Sequence, residues 1–217
     1  MNEPRFWEEY LIEEPVCKQL CENWEQIRDE ILNLKENYSN WFTKYPKFKV
    51  EDPETKEKVR LYENDWTITA LSKLSESYNV ENNRAEKTGG SSLEKLIKRY
   101  KSKLLPTLNS IINGLDQDET LSNVFVSILS PGVVIKPHVG YTKEYMRIHL
   151  GLICDAECKI TVGTETKTWE EGKILAFKDG GPFLHSVEHK GTSERIILSV
   201  DVKLSYLSQY VDYINKC

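Results

Sequence analysis

The chain has 217 residues, 39% of them hydrophobic and 29% charged, with a net charge of −5. That length supports one well-cored domain, and that composition is not that of a disordered chain. The acidic balance argues against a nucleic-acid partner. No apolar run approaches the ~20 residues of a membrane span, and the first residues lack the basic start and apolar core of a signal peptide.

Five cysteines without framework spacing point to a reducing, cytoplasmic setting. Cys17 with Cys21, and Cys154 with Cys158, read as buried thiols rather than a zinc site. A single domain over residues 1–217 is expected, in three parts. Residues 1–117 read as mostly helical with short strands. Pro15 suits a first helical turn, and Val16, Leu20, Ile27, Ile31 and Leu34 follow at helical spacing. The aromatic-rich stretch 38–45 ends at Pro46, a loop signal. Short β-like patterns cover 48–50, 59–62 and 66–70, where Tyr62 and Trp66 are assigned to core packing. The polar, glycine-bearing stretch 81–92 reads as a surface loop and candidate lid. Ser92 caps a helix to about Leu105, whose basic run 95–103 is a solvated face. Pro106 ends it or opens a second short helix that stops near Gly114.

From Leu121 the period changes to two. Short strands follow over 133–136, 145–154, 159–162, 167–169, 173–177, 183–187 and 195–202, with turn signals about every ten residues. The expected fold class is α+β. Residues 118–203 form a double-stranded β-helix, a jelly-roll or cupin-like barrel, with the mostly helical region against it. Residues 204–217 read as a C-terminal helix covering one edge.

The polar residues of the second half are placed by strand periodicity. Arg147 and His149 share one strand face. Arg195 lies on the face of Ile197 and Ser199 in a strand apolar on both sides. A buried arginine is costly unless it meets an anion, and its planar fork suits a carboxylate. Glu144 and Asp201 are the alternative partners for both arginines. His138 and His185, 47 residues apart, each sit at a strand end. Two imidazoles from separate barrel strands suit iron, copper, nickel or zinc. Two residues after His138, where a ligating carboxylate is common, stands Gly140. Asp179, beside two glycines, reads as a loop residue, and His189 as a turn residue.

Five fragments in order carry a resemblance: Ser-x-x-x-Pro-Gly (127–132), Pro-His-x-Gly (137–140), Arg-x-His-Leu-Gly-Leu (147–152), Thr-Trp-Glu-Glu-Gly-Lys (168–173), and His185 with Arg195 ten residues on. Together they resemble the aspartyl/asparaginyl β-hydroxylase family of iron(II)- and 2-oxoglutarate-dependent dioxygenases. The resemblance implies that His138 and His185 ligate iron and that Gly140 matches a family without the usual carboxylate. It implies that Arg195 and Ser127 hold the distal carboxylate of 2-oxoglutarate. Arg147, assigned to catalysis as well, and His149 would steady the carboxylate that chelates the metal. The implied reaction couples O2 and decarboxylation of 2-oxoglutarate to hydroxylation of an unactivated C–H bond. The substrate is an Asp or Asn side chain in a protein, or a free amino acid or small metabolite. A halogenase and a non-catalytic cupin-like module that binds a metabolite are the alternatives. Tyr145 stands where relatives with peptide substrates tend to carry another arginine. Lys136 stands where an aromatic is frequent, and the segment before His185 is longer by two.

Overall fold

The computed structural model describes residues 3–72, 77–79, 84–86, 103–116, 120–140 and 143–211. Three helices open the chain: α1 (Glu8–Leu11), α2 (Pro15–Glu22) and α3 (Trp24–Asn37). The start of α2 is fixed twice. Pro15 occupies the first turn, and the Glu14 carboxylate accepts the Cys17 N–H at 2.8 Å. The apolar spacing in α3 is realised as Ile27, Ile31 and Leu34, all fully buried.

Short strands follow at or beside the β-like patterns over 48–50, 59–62 and 66–70, with one more at 43–44 in the aromatic-rich stretch. β1 (Thr43–Lys44), β2 (Lys49–Glu51), β3 (Lys58–Arg60), β4 (Tyr62–Glu63) and β5 (Trp66–Ser72) all precede residue 73. β6 (Ser77–Asn79) and β7 (Arg84–Glu86) pair as a short ribbon, so the expected loop over 81–92 holds a strand at 84–86. The rest of that loop, most of the helix expected to Leu105 and all but the end of its basic run lie outside the described residues. α4 (Pro106–Asp116) follows.

The barrel is built from β8 (Leu121–Leu129), β9 (Val134–His138), β10 (Tyr145–Ile153), β11 (Cys158–Val162), β12 (Glu165–Thr168), β13 (Ile174–Lys178), β14 (His185–His189) and β15 (Arg195–Lys203). The larger sheet has the order β1-β5-β8-β15-β10-β13 and the smaller β12-β11-β14-β9-β4. Eight successive strands therefore cross between two antiparallel sheets, as a double-stranded β-helix requires. The N-terminal strands β1, β5 and β4 extend both sheets. The chain closes on α5 (Leu204–Leu207), and residues 212–217 of the expected C-terminal helix lie outside the described residues.

The large sheet is buried on both faces, which explains its apolar strands. Ile196, Leu198, Val200 and Val202 of β15, with Met146, Ile148 and Leu150 of β10, pack under the helices against Leu20, Ile27, Ile31 and Leu108. The opposite face contributes Leu129, Leu175, Phe177 and Ile197 to the barrel interior, where they meet Val133, Ile135 and Val187 of the small sheet. The helical layer thus covers one of the two faces of the large sheet. Ile31→Ala should cost about 2–5 kcal/mol by chemical denaturation, with the denaturant slope unchanged.

Candidate active site

The two histidines are cross-strand neighbours. His185 opens β14 and is the partner of His138 at the end of β9. Their ring centroids lie 4.2 Å apart. The ladder shifts register just beyond this pair, and Pro137, which has no N–H to donate, falls in the irregular stretch. Burial drives both rings toward neutrality. It lowers His138 to about 4 and holds His185 well below the usual imidazole range, with His138 and Arg147 adding to the effect. The His138 Nδ1–H donates to the Lys136 carbonyl at 2.8 Å, which leaves the Nε2 lone pair free to bind a metal.

Asp179 stands beside this pair. Its Oδ1 is 3.3 Å from His185 Nε2 and 2.5 Å from Arg147 Nη1. The glycine at 140 makes the room: a Cβ there would lie 1.6 Å from Asp179 Oδ2. On the other side of Arg147, Asp201 takes Nε at 2.8 Å and Nη2 at 2.9 Å. This bidentate pair follows from register, since Arg147 of β10 and Asp201 of β15 are direct partners. Burial works against the Arg147 charge, but Asp179 and Asp201 outweigh it and hold the guanidinium above its ordinary range. Burial raises Asp179, against the pull of Arg147 and with the push of Asp201. Two carboxylates share one guanidinium, so the group carries about one net negative charge beside two neutral imidazoles. Asp201→Ala should cost about 3–5 kcal/mol, because it leaves Arg147 buried with half its partners; thermal unfolding at neutral pH would read it.

The opposite situation holds at Arg195. It is 2% exposed, and its Nε and Nη1 are buried without a hydrogen-bond partner among the described residues, with the Cys158 thiol beside the guanidinium. Its Nη2 reaches the Ser127 Oγ at 3.3 Å, and its guanidinium lies 4.9 Å from the centre of the Trp169 ring. Burial lowers its pKa to about 10. His149 is influenced by both arginines, and burial first, then Arg147 and Arg195, keeps it neutral. Trp169 donates its indole N–H to His149 Nδ1 at 3.3 Å, so the ring proton sits on Nε2 as a donor.

Ser127, His138, Arg147, His149, His185 and Arg195 all belong to strands bounding one barrel interior. The residues present fit a divalent cation and an acidic cosubstrate. Two neutral imidazoles next to a net negative group suit a cation, and a buried guanidinium with unmet donors suits a carboxylate. Among the described residues no group of three or more His, Cys, Asp or Glu forms a metal cage, so the chain offers the imidazole pair. Three participants make contacts that the sequence reading left open or did not give. Asp179, read there as a loop residue, lies against Arg147 and His185. Asp201 pairs with Arg147 but not with Arg195. Trp66 is buried in the core as read, and its indole N–H also donates to Ser127 Oγ at 3.0 Å. Cys17, Cys21, Cys154 and Cys158 are free thiols, buried or half-buried as expected.

Residues 21–204 match the family described as aspartyl/asparaginyl beta-hydroxylase. The human protein named "Aspartyl/asparaginyl beta-hydroxylase" is 49% identical over 77 residues, 35% of this chain and 10% of that protein. The mouse "Aspartate beta-hydroxylase domain-containing protein 2" is 38% identical over 103 residues, 46% of this chain and 28% of that protein. The matched segment is thus a small part of each relative's length. Among solved structures, a Pseudomonas putida prolyl-4-hydroxylase aligns over 83% of this chain and 86% of its own, at 10% identity and a TM-score of 0.44, too distant to carry an argument. With the matched span running from α2 to the first residue of α5 and taking in both histidines and both arginines, the chain belongs to the aspartyl/asparaginyl beta-hydroxylase family.

Proposed function

We propose that this protein is an iron(II)- and 2-oxoglutarate-dependent dioxygenase that hydroxylates an unactivated C–H bond of an Asp or Asn side chain in a polypeptide. The observation that carries the reading is the buried Arg195 fork, with Nε and Nη1 unmet, in the same barrel as a cross-strand pair of neutral imidazoles. His138 and His185 would hold the metal. When bound, iron(II) would supply the activation of O2 that drives decarboxylation of 2-oxoglutarate and oxidation of the substrate carbon. Arg195 and Ser127 bind the distal carboxylate of the cosubstrate. The His149 Nε2–H and the N–H groups of Arg147 not used by Asp179 and Asp201 orient the proximal one. The apolar walls of Leu175, Phe177 and Val187 exclude bulk water.

A halogenase needs space for chloride beside Gly140. Here the Asp179 carboxylate lies against that glycine, which disfavours that reading. The experiment is succinate release with iron(II), ascorbate and 2-oxoglutarate, with and without Asp- or Asn-containing peptides, alongside the free amino acids. Succinate and a product heavier by one oxygen support the proposal. No succinate with any substrate, and none uncoupled, overturns it. A product only with the free amino acids moves the substrate from polypeptide to metabolite.

A further inference from the structure

The segment ahead of α1 is built into the barrel. β13 ends the large sheet and β12 the small one, and residues 3–8 bridge these two edges. The Trp7 backbone N–H donates to the Ala176 carbonyl of β13 at 2.8 Å, Glu8 pairs with Lys167 of β12, and Phe6 is buried in one cluster with Val162. Glu3 pairs with Lys178 at 2.7 Å. Lys178 is the last residue of β13, one before Asp179, so this pair marks the end of the barrel that carries the histidines.

Arg5 lies at the same end. Its guanidinium is 4.1 Å from the centre of the Phe183 ring. A Cβ at Gly163, in the turn between β11 and β12, would lie 3.4 Å from Arg5 Cγ and 3.3 Å from Phe183 Cδ1. Both neighbours of Arg5 adjoin the imidazole pair. Val162, beside the turn, is the ladder partner of His185, and Phe183 precedes that histidine by two residues. Val139 and Leu184, each next to a histidine in the chain, are exposed, so the barrel opens to solvent here.

The fold makes little use of the Arg5 charge. Nη1 donates to the Glu3 carbonyl at 2.8 Å, while Nε, which is buried, and Nη2 have no partner among the described residues. Glu3 gives its carboxylate to Lys178, so these three side chains keep one positive charge in excess. Stacking on Phe183 covers one face of the guanidinium and leaves its N–H edge in the plane, the geometry that grips a carboxylate.

We propose that Arg5 is a substrate-binding residue, whose guanidinium, laid on Phe183 at the barrel mouth, takes the carboxylate of an acidic residue near the one hydroxylated. This rests on the dioxygenase reading above and narrows its polypeptide to an acidic one. Two residues of chain, at most about 7 Å, lead from Phe183 to His185, so the acidic residue falls within about four positions of the target. Arg5 precedes residues 21–204, so this contact comes from outside the family match.

The test uses short peptides centred on Asp or Asn, otherwise of Ala and Gly, in which one flanking position at a time carries Glu, Lys or Ala. The full chain is assayed with iron(II), ascorbate and 2-oxoglutarate, and products are read by mass. The wild type should favour Glu at one position, through a lower KM at equal kcat. Arg5→Met keeps an apolar contact with Phe183. It should raise KM for that peptide about three- to tenfold and leave the Ala peptide unchanged. Arg5→Glu should reverse the choice, so that the Lys peptide becomes the better one. Lys190→Met, which removes an exposed charge beyond the far end of β14, should change nothing. No acidic preference in the wild type, or one that survives in both Arg5 variants, overturns the proposal. So does an equal rise in KM for every peptide in Arg5→Met, which would make Arg5 a packing residue. Succinate without hydroxylation of any peptide removes the polypeptide substrate, and this inference with it; no succinate at all removes the dioxygenase reading instead. If thermal melts show both variants unfolded, salt decides. The wild-type preference for Glu should fade as ionic strength rises while the Ala peptide holds its KM, and a preference indifferent to salt overturns the proposal.

Discussion

His138→Ala should lower succinate release by more than about 100-fold while leaving the melting temperature of the metal-free protein nearly unchanged. The magnitude exceeds the 10- to 100-fold that loss of an outer partner costs, because a ligand itself is removed. The stability argument is local. The His138 ring donates to the carbonyl of Lys136, two residues back in the same strand, and otherwise meets the backbone of its ladder partner His185. The ring's burial against His185 contributes little apolar area, and both imidazoles are already neutral, so no ion pair breaks. His189 is the contrast. It is 1% exposed, its Nε2 is held by the Ser193 carbonyl at 2.8 Å, and its Nδ1 accepts the Gly191 N–H. His189→Ala should therefore destabilise the fold without changing metal affinity in the molecules that remain folded. Metal titration of the two variants, read beside their melting curves, separates ligation from architecture. If His138→Ala binds metal and turns over like the wild type, the imidazole pair is not the centre. A metabolite-binding module without a metal would also retain 2-oxoglutarate affinity in this variant, whereas the dioxygenase loses most of it.

The sequence made some of this site legible and hid the rest, for physical reasons. Alternation fixed which residues share a face. Arg195 fell with Ile197 and Ser199, and Arg147 with His149, because a strand repeats every two residues whatever it pairs with. The apolar character of both faces of β15 also read correctly, since one lies under the helices and the other lines the barrel. What a local pattern does not contain is register. Asp201 faces Arg147 because β15 and β10 align those two positions, 54 residues apart. Asp179 looked like a turn residue because Gly180 and Gly181 follow it; the space that admits its carboxylate is created by Gly140 on another strand. Trp66 reaches Ser127 across 61 residues, and its apolar ring disguised a polar role. The strands at 43–44 and 62–63 are two residues long, too short to show any period, yet each joins a barrel sheet.

Register also gives the two arginines opposite signs in a stability experiment. Arg195→Met should lower 2-oxoglutarate affinity by about 30-fold or more, since truncating one partner of a buried charge-assisted contact typically costs 2–5 kcal/mol. Yet the metal-free, ligand-free protein should be as stable as the wild type, or more stable by about 1–4 kcal/mol. The Arg195 guanidinium is buried, and among the described residues it meets no carboxylate and two of its nitrogens lack partners; methionine of similar volume removes that penalty and keeps the packing against Trp169. Burial lowers the pKa of Arg195 to about 10, the direction of a charge that the fold disfavours until an anion arrives. Arg147 shows the reverse. Its two carboxylates hold it above its ordinary range, so Arg147→Met strands Asp179 and Asp201 and should destabilise by about 3–5 kcal/mol. Ligand closes the comparison. At a hundred times its dissociation constant, 2-oxoglutarate should stabilise the metal-loaded wild type by about 2.7 kcal/mol and leave Arg195→Met where it was. Thermal melts of the three proteins with and without 2-oxoglutarate would show this. A destabilised Arg195→Met that still responds to ligand would mean that Arg195 is a structural cation and that the cosubstrate is gripped elsewhere.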